Sequence, residues 1–237
     1  MRSERSSDSD ATAYRRVIAI DGPAASGKSS VAQLLAQRLG YVYVNSGAMY
    51  RAVTWHVIAR GVDPQNAEAV AQLIENAQID CDLVAYESRI LIEGEDVSEH
   101  MRDVRVNAEV SPVSSVLRVR EVLVARMRAY ALTNDVVMEG RDIGSAVFPD
   151  TPHKFYIDAT PEIRFRRRAA QGQADPIARR DHADSSRRAS PLTIAPDAVV
   201  IDSSHLSIAE VVDQIIERLK FDGVTSHDAL QAPPVTQ

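Results

Sequence analysis

Four residues have the types and spacing to hold a polyphosphate: Gly22, Gly27, Lys28 and Ser29, in the run Gly-Pro-Ala-Ala-Ser-Gly-Lys-Ser. Before them, Val17-Ile18-Ala19-Ile20 reads as a buried parallel strand; after them, Val31-Ala32-Gln33-Leu34-Leu35-Ala36 has helical composition. Glycines between a strand and a helix start let the backbone curl until several N–H groups point inward. The helix N-terminus adds free donors and the positive end of a dipole. In that setting Lys28 reaches the outer phosphates of a nucleoside triphosphate, and the Ser29 hydroxyl can ligate magnesium. The bland alternative is a glycine-rich turn with an exposed lysine. The loop specifies triphosphate binding, not the reaction.

Two further groupings are chemically suggestive. Gly140-Arg141-Asp142-Ile143-Gly144 follows the apolar run Val136-Val137-Met138. Charges just past the carboxyl end of a parallel strand lie where doubly wound sheets bind ligands, although an ordinary polar loop would read the same. Between Arg164 and Arg188 stand eight arginines against three aspartates, in a chain whose net charge is −6. A solvated helix face or an RNA-binding patch would account for that island. The spacing Arg180, Asp184, Arg187 favours a third reading, because residues at i, i+4 and i+7 share one helical face. Arg, Asp and Arg together can hold a phosphate and a sugar hydroxyl.

The elements that must position these groups alternate strand with helix. Strands are expected at 17–20, 41–44, 135–139, 154–158 and 198–202. Helices are expected after the glycine loop, from Asn45 or Ser46 as cap to about Ala59, from Pro161, and at Ile208–Leu219, where apolar residues recur at helical spacing. That alternation gives an α/β doubly wound fold. Residues 62–132 read as an insert: a helix capped by Asp63-Pro64, a hairpin turning at Tyr86-Glu87-Ser88, and helices over 103–116 and 117–132. Within it Ser111 and Arg120 stand out as polar, and by themselves read as solvated surface groups. Trp55 reads as core rather than as a stacking platform.

Composition bounds the rest. At 237 residues, 45% hydrophobic and 25% charged, the chain suits one large domain or a domain with an insert. The acidic balance does not invite nucleic acid. A single cysteine, Cys81, fits a reducing compartment and reads as core. Segments 1–16 and 221–237 read as disordered tails, with no signal peptide and no membrane span.

At this point the chain resembles the bacterial cytidylate kinase family, the P-loop kinases of nucleoside monophosphates. The resemblance lies in IAIDGPAASGKSS, NSGAMYRAVTW, ILIEGEDVSEHMR, EGRDIGSAVFPD, RDHADSSRRASPL and DAVVIDSSHLSIAEVV, which run in order from Ile18 to Val212. It implies a three-layer fold with a five-stranded parallel sheet, a core of 17–61 and 133–220, a monophosphate-binding insert at 62–132 and a short arginine-rich lid at 172–192. It implies γ-phosphoryl transfer from ATP, with Mg2+, to CMP or dCMP, by a cytoplasmic monomer with no nucleic-acid or membrane partner.

It also implies roles. Gly22, Pro23, Ala24, Ala25, Ser26, Gly27, Lys28, Ser29 and Ser30 would hold the ATP phosphates, with Ser29 near the metal. Ser46 and Arg51 match positions around the acceptor phosphate, and Ser111, Arg120 and Asp142 match positions that read cytosine. Arg141, Arg180 and Arg187 match arginines on the transferring and acceptor phosphates, and Asp184 with Arg180 would hold ribose. Two departures stand out: Asn45 replaces the family's usual Asp, and the segment Ala170–Asp175 before the lid is short.

Such chemistry needs no proton shuttle. The acceptor phosphate has a second pKa of about 6, so it is largely a dianion at neutral pH. Repulsion between anions is the obstacle, and always-protonated, forked arginines answer it. Other small-molecule P-loop kinases, acting on AMP or shikimate, remain alternatives. A GTP-dependent switch is disfavoured because no Asn-Lys-x-Asp run is present.

Overall fold

In the computed structural model, residues 14–170, 181 and 191–221 are described. In chain order these form β1 (Val17–Asp21), α1 (Lys28–Leu39), β2 (Val42–Asn45), α2 (Ser46–Ala59), α3 (Ala67–Asn76), β3 (Ile79–Val84), β4 (Glu87–Ile92) and β5 (Glu95–Asp96). There follow α4 (Val104–Ser115), α5 (Leu117–Thr133), β6 (Val136–Gly140), β7 (His153–Asp158), α6 (Pro161–Ala170), β8 (Val199–Asp202) and α7 (Ile208–Phe221). The sheet order is β3-β4-β2-β6-β1-β7-β8, with β5 paired to β4.

The five expected strands form a parallel block, β2-β6-β1-β7-β8, but the sheet has eight strands rather than five, because the insert adds β3, β4 and β5 at its edge. Alternation along β1 divides the interior. Val17 and Ala19 face a cluster with α2, α3, α4 and α5, whereas Ile18 and Ile20 face one with α1 and α7. Both faces are thus covered, as a parallel sheet requires, and the result is three layers.

The insert departs from its expected detail. Its hairpin extends the main sheet: Tyr43 of β2 pairs in parallel with Glu87 of β4, and Tyr43 N donates to Tyr86 O at 2.8 Å. The turn is Ala85-Tyr86, one residue earlier than the sequence suggests, with φ of 49° and 67°. Two positive φ values suit the twist of a two-residue hairpin. Neither residue is the Gly or Asn that normally signals such a turn, so the pattern gave no cue. Similarly, α3 starts after Asn66, whose side chain accepts from Ala69 N at 3.1 Å, while Asp63 accepts from Gln65 N in the preceding turn.

Trp55 packs half-buried against the core and stacks on His100, ring centroids 4.7 Å apart. Cys81 is half-buried at the edge of that cluster. Arg15 N donates to Ala131 O and Arg16 N to Asp135, so the chain is tied down just before β1. Most of both expected tails, and the lid apart from Asp181 and its last two positions, lie outside the described residues. Among the described residues, no helix is long and apolar enough to cross a membrane.

Candidate active site

Three adjacent parallel strands, β2, β6 and β1, end on the same side of the sheet, and each end carries a candidate group. Past β1 the chain enters the glycine loop. Gly22 has φ 155°, and a Cβ there would meet Ile157 O at 2.1 Å, so β1 and β7 approach only because this residue has no side chain. The loop turns at Ala25, with φ 59°, and at Gly27, with φ 94°, before α1 begins. The left-handed step at Ala25 is unusual for a residue with a Cβ.

The loop's outer wall is held by arginines. Arg164 of α6, which is buried, donates to Ala24 O and Ala159 O and pairs with Asp181. Asp181 also accepts from Ala24 N at 3.2 Å. Arg167 donates to Ser26 O at 3.1 Å, and Ser203, just past β8, donates to the same carbonyl at 2.8 Å. Two arginines of the basic island therefore brace the glycine loop instead of facing solvent. Composition could not separate these from the others.

A cavity of about 260 Å³ opens in front of the loop. It is lined by Ala24, Ala25 and Gly27 to Ser30; by Asn45, Ser46, Gly47, Tyr50 and Arg51; by Val110 and Ser114 of α4; by Glu139 to Asp142; and by Arg168. The structure thus brings together Lys28, Ser29, Ser46, Arg51, Arg141 and Asp142, from three separated parts of the chain. Lys28 is buried and its Nζ donates to Pro23 O at 3.0 Å. Ser46 Oγ donates to Glu139 O at 2.7 Å, and Arg141 donates to Gly22 O at 3.0 Å. Arg51, one and a half turns into α2, donates from Nε to Asn107.

Behind the cavity, Arg120 and Asp142 form a buried ion pair, Arg120 being 5% exposed and Asp142 4%. The Arg120 guanidinium lies 5.9 Å from the centre of the Tyr50 ring, and its buried Nη1 meets no well-aligned acceptor among the described residues. Arg120 is not the surface group that its position alone suggested. Ser111 does not line this cavity; its carbonyl accepts from Ser114 Oγ, one helical turn on. Arg180, Asp184 and Arg187 lie outside the described residues.

The sequence reading missed Glu139 and Asp21. Glu139 is 3% exposed and accepts from Ser29 Oγ at 2.9 Å. Its place at the end of β6, beside the first strand, was the available signal. Asp21 is 5% exposed and accepts from Ile143 N and Gly144 N, each at 2.8 Å. Burial pushes its carboxyl up to about 7 against the pull of those two amides; Asp142 adds to the rise and Lys28 opposes it.

Asn45 has a use that an aspartate could not fully serve. Its Oδ1 caps α2 by accepting from Ala48 N at 2.9 Å, and its Nδ2 donates to Tyr43 Oη at 3.1 Å. Burial and then the nearby Glu139 carboxylate drive the Tyr43 hydroxyl above its ordinary range. A second carboxylate there would add like charge near Glu139.

Residues 18–221 match a family model described as cytidylate kinase. The cytidylate kinase of Mycolicibacterium paratuberculosis is 46% identical over 211 residues, covering 84% of this chain and 92% of its own. That of Geobacillus kaustophilus is 44% identical over 215 residues, covering 86% and 96%. Among solved structures, shikimate kinase from Acinetobacter baumannii aligns with a TM-score of 0.42 and 15% identity, over 89% of this chain and 96% of that one.

Proposed function

The chain belongs to the cytidylate kinase family and is a nucleotide kinase with that activity; from the cavity we propose how its residues divide the work. The γ-phosphoryl group of ATP passes in line to a phosphate oxygen of CMP or dCMP. The bond from the γ-phosphorus to the bridging oxygen breaks, and ADP leaves as CDP or dCDP forms. ATP phosphates lie in the loop from Gly22 to Ser30, against inward N–H groups and Lys28. The acceptor phosphate lies against Ser46, Arg51 and Arg141.

What carries this reading is the buried Arg120–Asp142 pair. Asp142 lines the cavity, and Arg120 stands directly behind it, paired with that carboxylate. Cytosine offers an exocyclic amine to such a carboxylate, and a ring nitrogen and a carbonyl to such a guanidinium. Uracil would set a carbonyl oxygen against Asp142. A mispaired buried group costs about 1–3 kcal/mol. On the resemblance, Ser111 matches a position that reads the base, although it stands outside the cavity lining here, while Arg180, Asp184 and Arg187 serve ribose and phosphates from a lid spanning about 172–192.

The donor set suits magnesium. Among the described residues no cluster of three His, Cys, Asp or Glu side chains could cage a metal. Magnesium takes one or two carboxylates plus substrate phosphates and water, which Ser29 and Glu139 at the loop's edge can complete. Bound there, it would neutralise charge on the bridged phosphates. Among the described residues, Lys28, Arg51 and Arg141 stand at the cavity to supply further stabilising charge.

We read residues 62–132 as the monophosphate-binding region of a cytoplasmic monomer, with Cys81 as the reducing-compartment cue; light scattering tests the monomer. An acceptor screen with ATP and magnesium tests the substrate. CMP and dCMP are phosphorylated, UMP and AMP poorly; equal use of UMP and CMP overturns the reading of Asp142.

A further inference from the structure

We infer that Asp21 is a positioning residue for base recognition: its carboxylate fixes the backbone that aims Asp142 at the cavity. This rests on the reading of Asp142 given above. Asp21 does not line the cavity, and although its charge is felt by Lys28, both of its hydrogen bonds go to the turn after Asp142.

Five observations support it. Asp21 Oδ1 takes Ile143 N–H and Oδ2 takes Gly144 N–H, so each oxygen has its own donor from the two residues that follow Asp142. These amides open a single helical turn, Ile143–Val147, and early N–H groups of such a turn have no acceptor within it. Asp142, directly before the turn, could supply a cap but makes no such bond; its Oδ2 accepts from Arg120 instead. Asp21 thus does the capping from another segment and leaves Asp142 for the ligand.

Next, Gly22 O accepts from Arg141, so two consecutive residues of β1 and its exit hold the chain on both sides of Asp142. Finally, the fit is tight. A Cβ on Gly144 would stand 3.1 Å from the Lys154 side chain and 3.4 Å from Asp21 Oδ2. The turn has little room to settle elsewhere.

Two parallel N–H donors require two acceptor oxygens on one group. Only an ionised carboxylate supplies them from a short side chain, and an asparagine offers one oxygen and an opposing NH2. Burying that anion close to Asp142 is costly, and Lys28 offsets it only in part. The arrangement makes sense if exact placement of the turn is the gain.

The test compares D21N, D142A and the double variant with the parent enzyme at pH 8, by calorimetric binding of CMP, UMP and ATP and by kcat and KM. D21N is expected to weaken CMP tenfold or more, to raise KM for CMP more than it lowers kcat, and to shift ATP affinity, through the lost charge near Lys28, by several-fold less than CMP affinity. In the D142A background, D21N should cost CMP less than twofold. Equal losses for ATP and CMP, or losses that multiply in the double variant, overturn the proposal. If D142A alone leaves the CMP-over-UMP preference intact, the reading of Asp142 falls and this inference with it; a damaging D142A with an inert D21N sinks the inference alone. Should D21N fail to fold, amide exchange in the parent enzyme decides. Slow exchange at Ile143 and Gly144 before nucleotide is added supports a preset turn, and rapid exchange overturns it.

Discussion

Ser29 Oγ donates to Glu139 Oε1 across 2.9 Å, joining the first turn of α1 to the end of β6. The bond sets a buried carboxylate that lines the cavity against the hydroxyl proposed for the metal. Glu139→Gln keeps the shape and a hydrogen bond but removes the charge. A metal contributes several kcal/mol of transition-state stabilisation, so turnover should fall on the order of 10²-fold. The magnesium concentration for half-maximal rate should rise as well, while CMP affinity stays near that of the parent. A magnesium titration of the rate checks both; an unchanged metal requirement refutes the role of Glu139.

The left-handed residue in the loop gives a second test. Ala25 sits at φ 59°, which costs a residue with a Cβ about 1–2 kcal/mol, part of which glycine's greater freedom in the unfolded chain cancels. Ala25→Gly should therefore stabilise the fold by about 0.5–1 kcal/mol with kcat retained. Urea denaturation monitored by circular dichroism measures this. A lower midpoint would mean that the Ala25 methyl contributes packing worth more than the strain.

Legibility followed the physics of each signal. The five parallel strands announced themselves because burial on both faces demands apolar runs such as Val17–Ile20 and Val136–Met138. Lys28 and Arg141 were legible because strand ends and glycine spacing fix them locally. Arg120 was not, since a single arginine in a helix carries no mark of what it faces; only the approach of α5 to the end of β6 buries it against Asp142. Arg164 and Arg167 were hidden for the opposite reason, among equals in a run of arginines. Asp21, between the first strand and the glycine loop, drew no reading from the sequence. Its meaning depends on amides more than a hundred residues away.

Arg164 leads to a third expectation. Its fork satisfies Ala24 O and Ala159 O at once, while also pairing with Asp181. Arg164→Met keeps the stem but leaves buried carbonyls without donors, costing about 1–3 kcal/mol per unmet group. Because Ala24 lies in the glycine loop, KM for ATP should rise several-fold more than KM for CMP. Arg164→Lys should rescue little, since one ammonium cannot span the positions of a planar fork. Steady-state kinetics varying each substrate in turn separates the two constants.

The last expectation concerns pH. Asp21 moves from an ordinary 3.8 to about 7 on folding, chiefly through burial. Between those values the folded chain binds the proton more tightly than the unfolded one. Stability from this group is therefore greatest below pH 4 and is lost as pH rises through 7. The interval corresponds to roughly 4 kcal/mol at its upper bound. Asp21→Asn cannot ionise, so it escapes the penalty while forfeiting one of the two amide bonds. Its stability relative to the parent should accordingly improve by up to about 2–3 kcal/mol from pH 5 to pH 8. Other groups titrate in both proteins and cancel in the difference. Thermal or urea unfolding of the pair at both pH values provides the measurement; a difference that stays flat, or turns against the variant as pH rises, shows that Asp21 ionises freely in the folded chain.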